Sequence, residues 1–208
     1  MQSFMDKWHE TEIFFIQYMD FTGFHFRVRM FLPDKKVKDE ALSTLKCHFR
    51  NVRILEKIYD PEYNTYGSNL PAYENYSCQL SAFLIRNNVK KEEVAYSMVS
   101  AILRRFDHLN EEFVRFYITY WKKALRRQRF IENDFEHRKI DEENEELANA
   151  LVQLVEKNIQ IGCMEKQERK DMCFQYLHMS LNKLGCLINE EITILLQLSS
   201  TWRAYQWN

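Results

Sequence analysis

Three short stretches hold the residues whose types and spacing suit chemistry. In Phe24-His-Phe-Arg-Val-Arg-Met-Phe31, His25, Arg27 and Arg29 recur at every second position. A β-strand sends such residues to one face and sets Arg27 and Arg29 roughly 7 Å apart, two residues at about 3.3 Å each. Two guanidiniums and an imidazole in that array form a surface for an anion, above all a carboxylate, which a guanidinium meets with a two-pronged fork. The same alternation serves equally as the solvent side of an edge strand whose charges discourage pairing. In Gln175-Tyr-Leu-His-Met-Ser-Leu-Asn-Lys-Leu184, His178 and Asn182 lie one helical turn apart. An imidazole titrates near neutrality and suits proton transfer, although a lone helical histidine is more often structural. The third stretch, Asp60-Pro-Glu-Tyr-Asn-Thr-Tyr-Gly-Ser68, is rich in Tyr and hydroxyls; Pro61 and Gly67 mark it as a loop.

The composition narrows what else the chain does. Its 208 residues suffice for one domain with a real core, and Lys+Arg 29 against Asp+Glu 30 gives a net charge of -1. That balance recruits neither nucleic acid nor an acidic membrane. Four glycines and three prolines argue against β-sandwiches and glycine-rich phosphate loops, and for a chain dominated by helices. No run of about 18 apolar residues is present and the first eight residues lack a signal-peptide core, so the expectation is a cytoplasmic protein without a membrane span. The five cysteines (47, 78, 163, 173 and 186) form no CxxC pair and read as reduced, mostly buried small hydrophobes rather than metal ligands. No nucleophile elbow, Walker loop, HExxH or zinc-spaced set occurs, and neither a metal nor a cofactor is implied.

The elements that must position these stretches follow from patterning. Ile13–Asp20 and Phe24–Phe31 read as a hairpin turning at Phe21-Thr-Gly23, with Phe24, Phe26, Val28 and Met30 on the apolar face. Residues 35–49 read as an amphipathic helix covering that face, through Val37, Ala41, Leu42, Leu45 and Phe49. Val52–Tyr59 reads as a third strand with Val52, Ile54 and Ile58 inward. Helices are expected at about 71–86, 91–106, 110–130, 142–160, 166–184 and 189–204. The breaks fall at Asn87-Asn88, 107–110, Ile161-Gly162 and Gly185. Leu147, Leu151, Leu154 and Val155, and Ile192, Leu195, Leu196 and Ser199, read as core stripes. The clusters Arg126-Arg-Gln-Arg129 and Asp141–Glu146 read as solvated helix faces. The fold class is therefore α+β: a small antiparallel sheet with a covering helix (1–68), then a larger helical part (69–208).

Taken together and in order, the three stretches resemble a known family. "FFIQYMD…HFRVRMF" is similar to the opening strand pair of the thiopeptide-type bacteriocin biosynthesis domain, the carboxy-terminal elimination domain of lantibiotic dehydratases, which also occurs as a stand-alone protein. "YDPEYNTYGS" is similar to its Tyr-x-Pro-Glu…Arg-Tyr-Gly-Gly segment, and "YLHMSLNKLG" to its His-Met-x-x-Asn-Arg-Leu segment. The resemblance implies a cofactor-independent lyase acting on a ribosomally made peptide whose Ser or Thr hydroxyl carries a glutamyl ester. Glutamate leaves, and a dehydroalanine or dehydrobutyrine remains. Arg27 and Arg29 would clamp the carboxylate or enolate, and His178 would move the proton. His25, Thr65, Tyr66 and Asn182 would contact the substrate. The implied partners are the modified precursor peptide, its leader included as a candidate, and a separate glutamylating dehydratase subunit. The oligomeric state is left open, with a homodimer as one option.

The departures from the family pattern matter. Thr65 stands where the family carries an arginine, Lys183 follows Asn182 in place of another, and Gln79-Leu80 replaces an Asp-Ser pair. Losing one carboxylate-binding arginine weakens glutamyl recognition by about 1.5–3 kcal/mol. Two alternatives therefore stand beside elimination. Stand-alone relatives form pyridines by a formal [4+2] cycloaddition between two dehydroalanines with loss of the leader, a task of positioning that needs no glutamate clamp. A non-catalytic scaffold that binds the peptide by strand addition, or pairs with the dehydratase, is the other.

Overall fold

The computed structural model describes residues 12–20, 23–58, 61, 63–105, 111–125, 142–158 and 166–206. The sequence expectations for Met1–Trp8, the break at 107–110, the Arg126–Arg129 cluster, Gly162 and Cys163 lie outside the described residues. The chain divides into two compact units, residues 1–87 and 88–208.

The first unit is built on the hairpin. Strand β1 (Ile13–Asp20) pairs antiparallel with β2 (Gly23–Met30), in a register that sets Ile13 opposite Met30 and Asp20 opposite Gly23. Gly23 has φ +98, a conformation in which a side chain is strained, so the turn needs a glycine there. Helix α1 (Lys35–His48) begins where Asp34 accepts a bond from the Val37 N–H at 2.9 Å, which satisfies one of the orphan donors of the first turn. Its apolar stripe lays Ala41 on Ile13, flanked by Met30, Leu32, Val37 and Leu45. Helix α2 (Leu70–Arg86) packs along β1 and buries Tyr73, Tyr76, Leu80 and Leu84. From α2, the buried Ser81 hydroxyl accepts the Phe15 N–H at 3.3 Å and donates to the Ser77 carbonyl at 2.8 Å, so this edge of the sheet is capped.

Three local expectations are corrected here. First, α1 does not cover the apolar face of β2: Phe24 is 53 %, Phe26 56 % and Val28 39 % exposed. The stripe from Val37 to Leu45 spans only about 12 Å, against about 20 Å from Met30 to Phe24, so the helix reaches only the open end of the ladder. Second, residues 52–58 are not a strand. Val52, Leu55 and Ile58 are exposed, and Glu56 is drawn off to an ion pair with Lys38, so no alternating face exists to pair. Third, the 61–68 stretch is largely helical, a turn over Tyr63–Tyr66 running into a 3-10 turn over Gly67–Asn69 and on into α2. Pro61 ends the extended segment ahead of it, and Gly67 (φ +53) supplies the kink between turns.

The second unit is all helix in its described residues: α3 (Lys91–Arg105), α4 (Glu111–Ala124), α5 (Glu142–Asn158), α6 (Lys166–Leu184) and α7 (Ile188–Gln206). Helix α3 carries Glu92 and Glu93 in its first turn and Arg104 and Arg105 in its last, complementing the helix dipole at both ends. It packs on α5; Val94, Ala95, Met98, Val99 and Ile102 are buried on the one helix, and Ala148, Leu151, Val152 and Val155 on the other. Helix α6 stops at Gly185 (φ +95), where the Cys186 N–H returns to the Leu181 carbonyl at 2.9 Å, and α7 starts three residues later. The next turn is pinned. Glu190 accepts the Leu187 N–H at 2.7 Å and pairs with Lys91 of α3, also at 2.7 Å. Of the cysteines described, Cys173 and Cys186 are buried, Cys78 is half-buried and Cys47 is exposed.

Candidate functional site

In the first unit, the basic face of β2 sits on aromatic rings of β1. The Arg27 guanidinium carbon lies 3.5 Å from the Tyr18 ring centroid, and that of Arg29 lies 5.2 Å from the ring of Phe14, which is itself buried. Each contact is worth about 0.5–2 kcal/mol, and a guanidinium lying over a ring keeps its N–H groups at its rim, where a carboxylate can meet them. His25 belongs to the same array. Its Nδ1 donates to the Gly23 carbonyl at 3.1 Å, which leaves Nε2 to accept from Arg27 Nε at 3.4 Å. His25 therefore steadies Arg27. The half-buried Tyr66 ring packs on Tyr73, 4.3 Å between centroids. Thr65 falls in the helical turn beside it; its side chain is outside the described residues.

In the second unit, His178 and Asn182 lie one turn apart on α6, both half-buried. The imidazole is held by a residue that the sequence reading missed. Glu191 in the first turn of α7 is fully buried, and its carboxylate oxygens lie 3.1 and 3.0 Å from His178 Nδ1. A carboxylate accepts and does not donate, so Nδ1 carries a proton, and in the neutral imidazole Nε2 is then the nitrogen with the lone pair. Tyr117 of α4 donates a second bond to Glu191, at 2.5 Å. Two charge-assisted bonds and the positive end of α7 compensate the carboxylate for its burial. Burial first, then the neighbouring Glu191 charge and its hydrogen bond, push the Tyr117 phenol well above its ordinary value. Burial and then Glu191 and Glu190 push the Cys186 thiol up, which makes it inert rather than nucleophilic. Trp121 lies 4.4 Å from the imidazole, ring centre to ring centre, and stacks on Phe174, so the ring plane of His178 is fixed as well as its tautomer. The His178 side chain is 24 % exposed, against none for Glu191.

Such a dyad can take a proton at Nε2, while an array such as Arg27 and Arg29 can hold a negatively charged group. His25, Arg27, Arg29 and Tyr66 fall in the first unit, His178 and Asn182 in the second. Glu191 left a trace in the sequence: His178 is seven residues before Gly185 and Glu191 six after it, near-equal distances from a helical corner. An open depression on α1 lined by Asp39, Ser43, Lys46, Cys47 and Arg50 contains none of these residues. Among the described residues, no cluster of three His, Cys, Asp or Glu side chains could hold a metal ion.

Comparison with known families decides the lineage. The family described as lantibiotic biosynthesis dehydratase, C-terminal, matches residues 1–202. The chain belongs to that family. No curated protein and no solved structure matches it. Membership ties this dehydratase C-terminal chain to the making of lantibiotic-type ribosomal peptides and to the dehydratase machinery. No described helix is long and apolar enough to cross a membrane.

Proposed function

We propose that this lantibiotic dehydratase C-terminal family member is a lyase that eliminates glutamate from glutamylated Ser or Thr residues of a precursor peptide. His178 Nε2 removes the α-proton, the electron pair forms the Cα–Cβ double bond, and the Cβ–O ester bond breaks. Glutamate departs as its carboxylate, and a dehydroamino acid remains. Arg27 and Arg29 bind the carboxylate and oppose the negative charge that develops on it. Asn182 and the Tyr66–Thr65 turn are secondary contacts to the peptide. The observation that carries the reading is the Glu191–His178 pair, because a buried carboxylate on Nδ1 prepares an imidazole as a base.

The [4+2] pyridine-forming reading is favoured by one feature, Thr65 in place of the family's arginine. The two separate by the mass of the pathway peptide when this protein is omitted. Retained glutamyl adducts support elimination, and a dehydrated, uncyclised peptide supports ring formation. Full pathway output from a protein with Arg27, Arg29 and His178 changed to Ala would overturn both and leave the scaffold role.

A further inference from the structure

The bond from Phe31 N–H to the Glu12 carbonyl, 3.0 Å, fixes the alternation of the hairpin ladder. In an antiparallel pair, hydrogen-bonded and non-bonded residue pairs alternate, so Phe14 with Arg29, Ile16 with Arg27 and Tyr18 with His25 bond across the ladder. Phe15 with Val28, Gln17 with Phe26 and Met19 with Phe24 turn their N–H and C=O groups outward. On the β1 side, the outward Phe15 N–H ends on Ser81. On the β2 side the outward set is Phe24, Phe26 and Val28, and no described group bonds to it. The same three residues expose their side chains. No proline, lysine or bulge blocks this edge, and a two-stranded sheet is marginal in water without a third strand or other cover.

We propose that the open edge of β2 receives an extended segment of the precursor peptide as a third strand, with apolar and carboxylate-bearing residues alternating. The inference rests on the peptide-lyase reading and names how the substrate is held. Side chains of an added strand alternate between faces. One set packs against Phe24, Phe26 and Val28; the other stands about 5 Å from Arg27 and Arg29, where a glutamyl group or an acidic residue is met by a guanidinium. Charge decides against a second copy of this chain as occupant. Antiparallel pairing of two β2 edges would bring the Arg27 and Arg29 rows side by side, like charge against like.

Residue-resolved amide exchange on the full chain tests this, with acetyl-Val-Glu-Val-Glu-Val-Glu-Val-amide as the probe. The expected result is at least tenfold slower exchange at the Phe24, Phe26 and Val28 amides. The isomer with its glutamates in one block, and the version with Lys for Glu, should give none. Val28→Pro removes one outward N–H while sparing the ladder, because proline is tolerated at such edge positions, and should weaken probe binding at least tenfold. If that variant disrupts the hairpin, the wild-type exchange pattern decides alone. Protection absent or located elsewhere overturns the proposal. So does protection already present without probe and lost on dilution, which would assign the edge to a second copy. Intact elimination without edge protection refutes the strand site only; edge protection in a protein that eliminates nothing refutes the lyase reading only.

Discussion

Replacing Glu191 by Gln tests the dyad with little change in volume. The carboxylate serves two donors, Tyr117 at 2.5 Å and His178 Nδ1 at 3.0 Å, and an amide has a single oxygen. The shorter contact keeps that oxygen in the place of Oε2, which puts the NH2 group in the place of Oε1, 3.1 Å from Nδ1. A donor there opposes a proton on Nδ1, so the imidazole is expected to shift its proton to Nε2. The loss of one charge-assisted bond costs about 1.5–3 kcal/mol, within the roughly 5–15 kcal/mol of a typical domain, so the variant folds with a lowered midpoint. Elimination, however, loses its base. General-base catalysis is worth about 10²–10⁴, or about 3–5 kcal/mol of barrier at 1.36 kcal/mol per tenfold. The assay is mass spectrometry of a glutamylated peptide under single-turnover conditions, beside imidazole ¹⁵N spectra that report the tautomer. A folded Glu191→Gln protein with its proton on Nε2 and wild-type turnover would refute the reasoning.

Three further outcomes are expected. Arg29→Ala abolishes turnover with helicity by circular dichroism intact; loss of folding instead would show the guanidinium to be a structural cover for Phe14. Tyr117 and Tyr176 are both raised by burial, so the stability tied to their neutral phenols is present below pH 10 and is lost as pH rises beyond it. Ultraviolet titration should therefore show these two ionising only with alkaline unfolding, after the exposed tyrosines; a single smooth transition of all tyrosines would contradict the packing. The Glu56 carboxyl is lowered from its ordinary 4.5, by its hydrogen bond to Lys38 and then by the charge, so its ion pair persists above that pH and is lost as pH falls. Carboxyl ¹³C titration should place its midpoint below 4.5, and Lys38→Ala should return it to the ordinary value.

Much of this architecture was legible because helices announce themselves. The three-and-four spacing, Asp34 as a cap, Pro71 in the first turn of α2 and Gly185 as a stop set element limits within a few residues of those observed. The hairpin was legible from its aromatic and β-branched residues around Gly23. Burial was not. Which face of β2 is covered depends on how far α1 reaches, a tertiary quantity that alternation cannot encode. The 52–58 segment misled for a related reason, since its strand-like residues lack a partner and Lys38 takes Glu56 away. His178 could be picked out by type, but Glu191 sat in an ordinary acidic helix start, and only the fold of two helices about Gly185 makes it a neighbour.

The adjacent glutamates at the start of α7 divide one helical turn between two tasks. Glu190 grips Lys91 on a neighbouring helix, while Glu191, roughly 100° further round, turns inward to the imidazole. Loosening this part-buried grip would let the first turn of α7 rotate, and a few degrees there displace the inward oxygens from Nδ1. A single substitution at residue 91 therefore becomes a remote dial on the Glu191–His178 contact, one that never touches the ring itself.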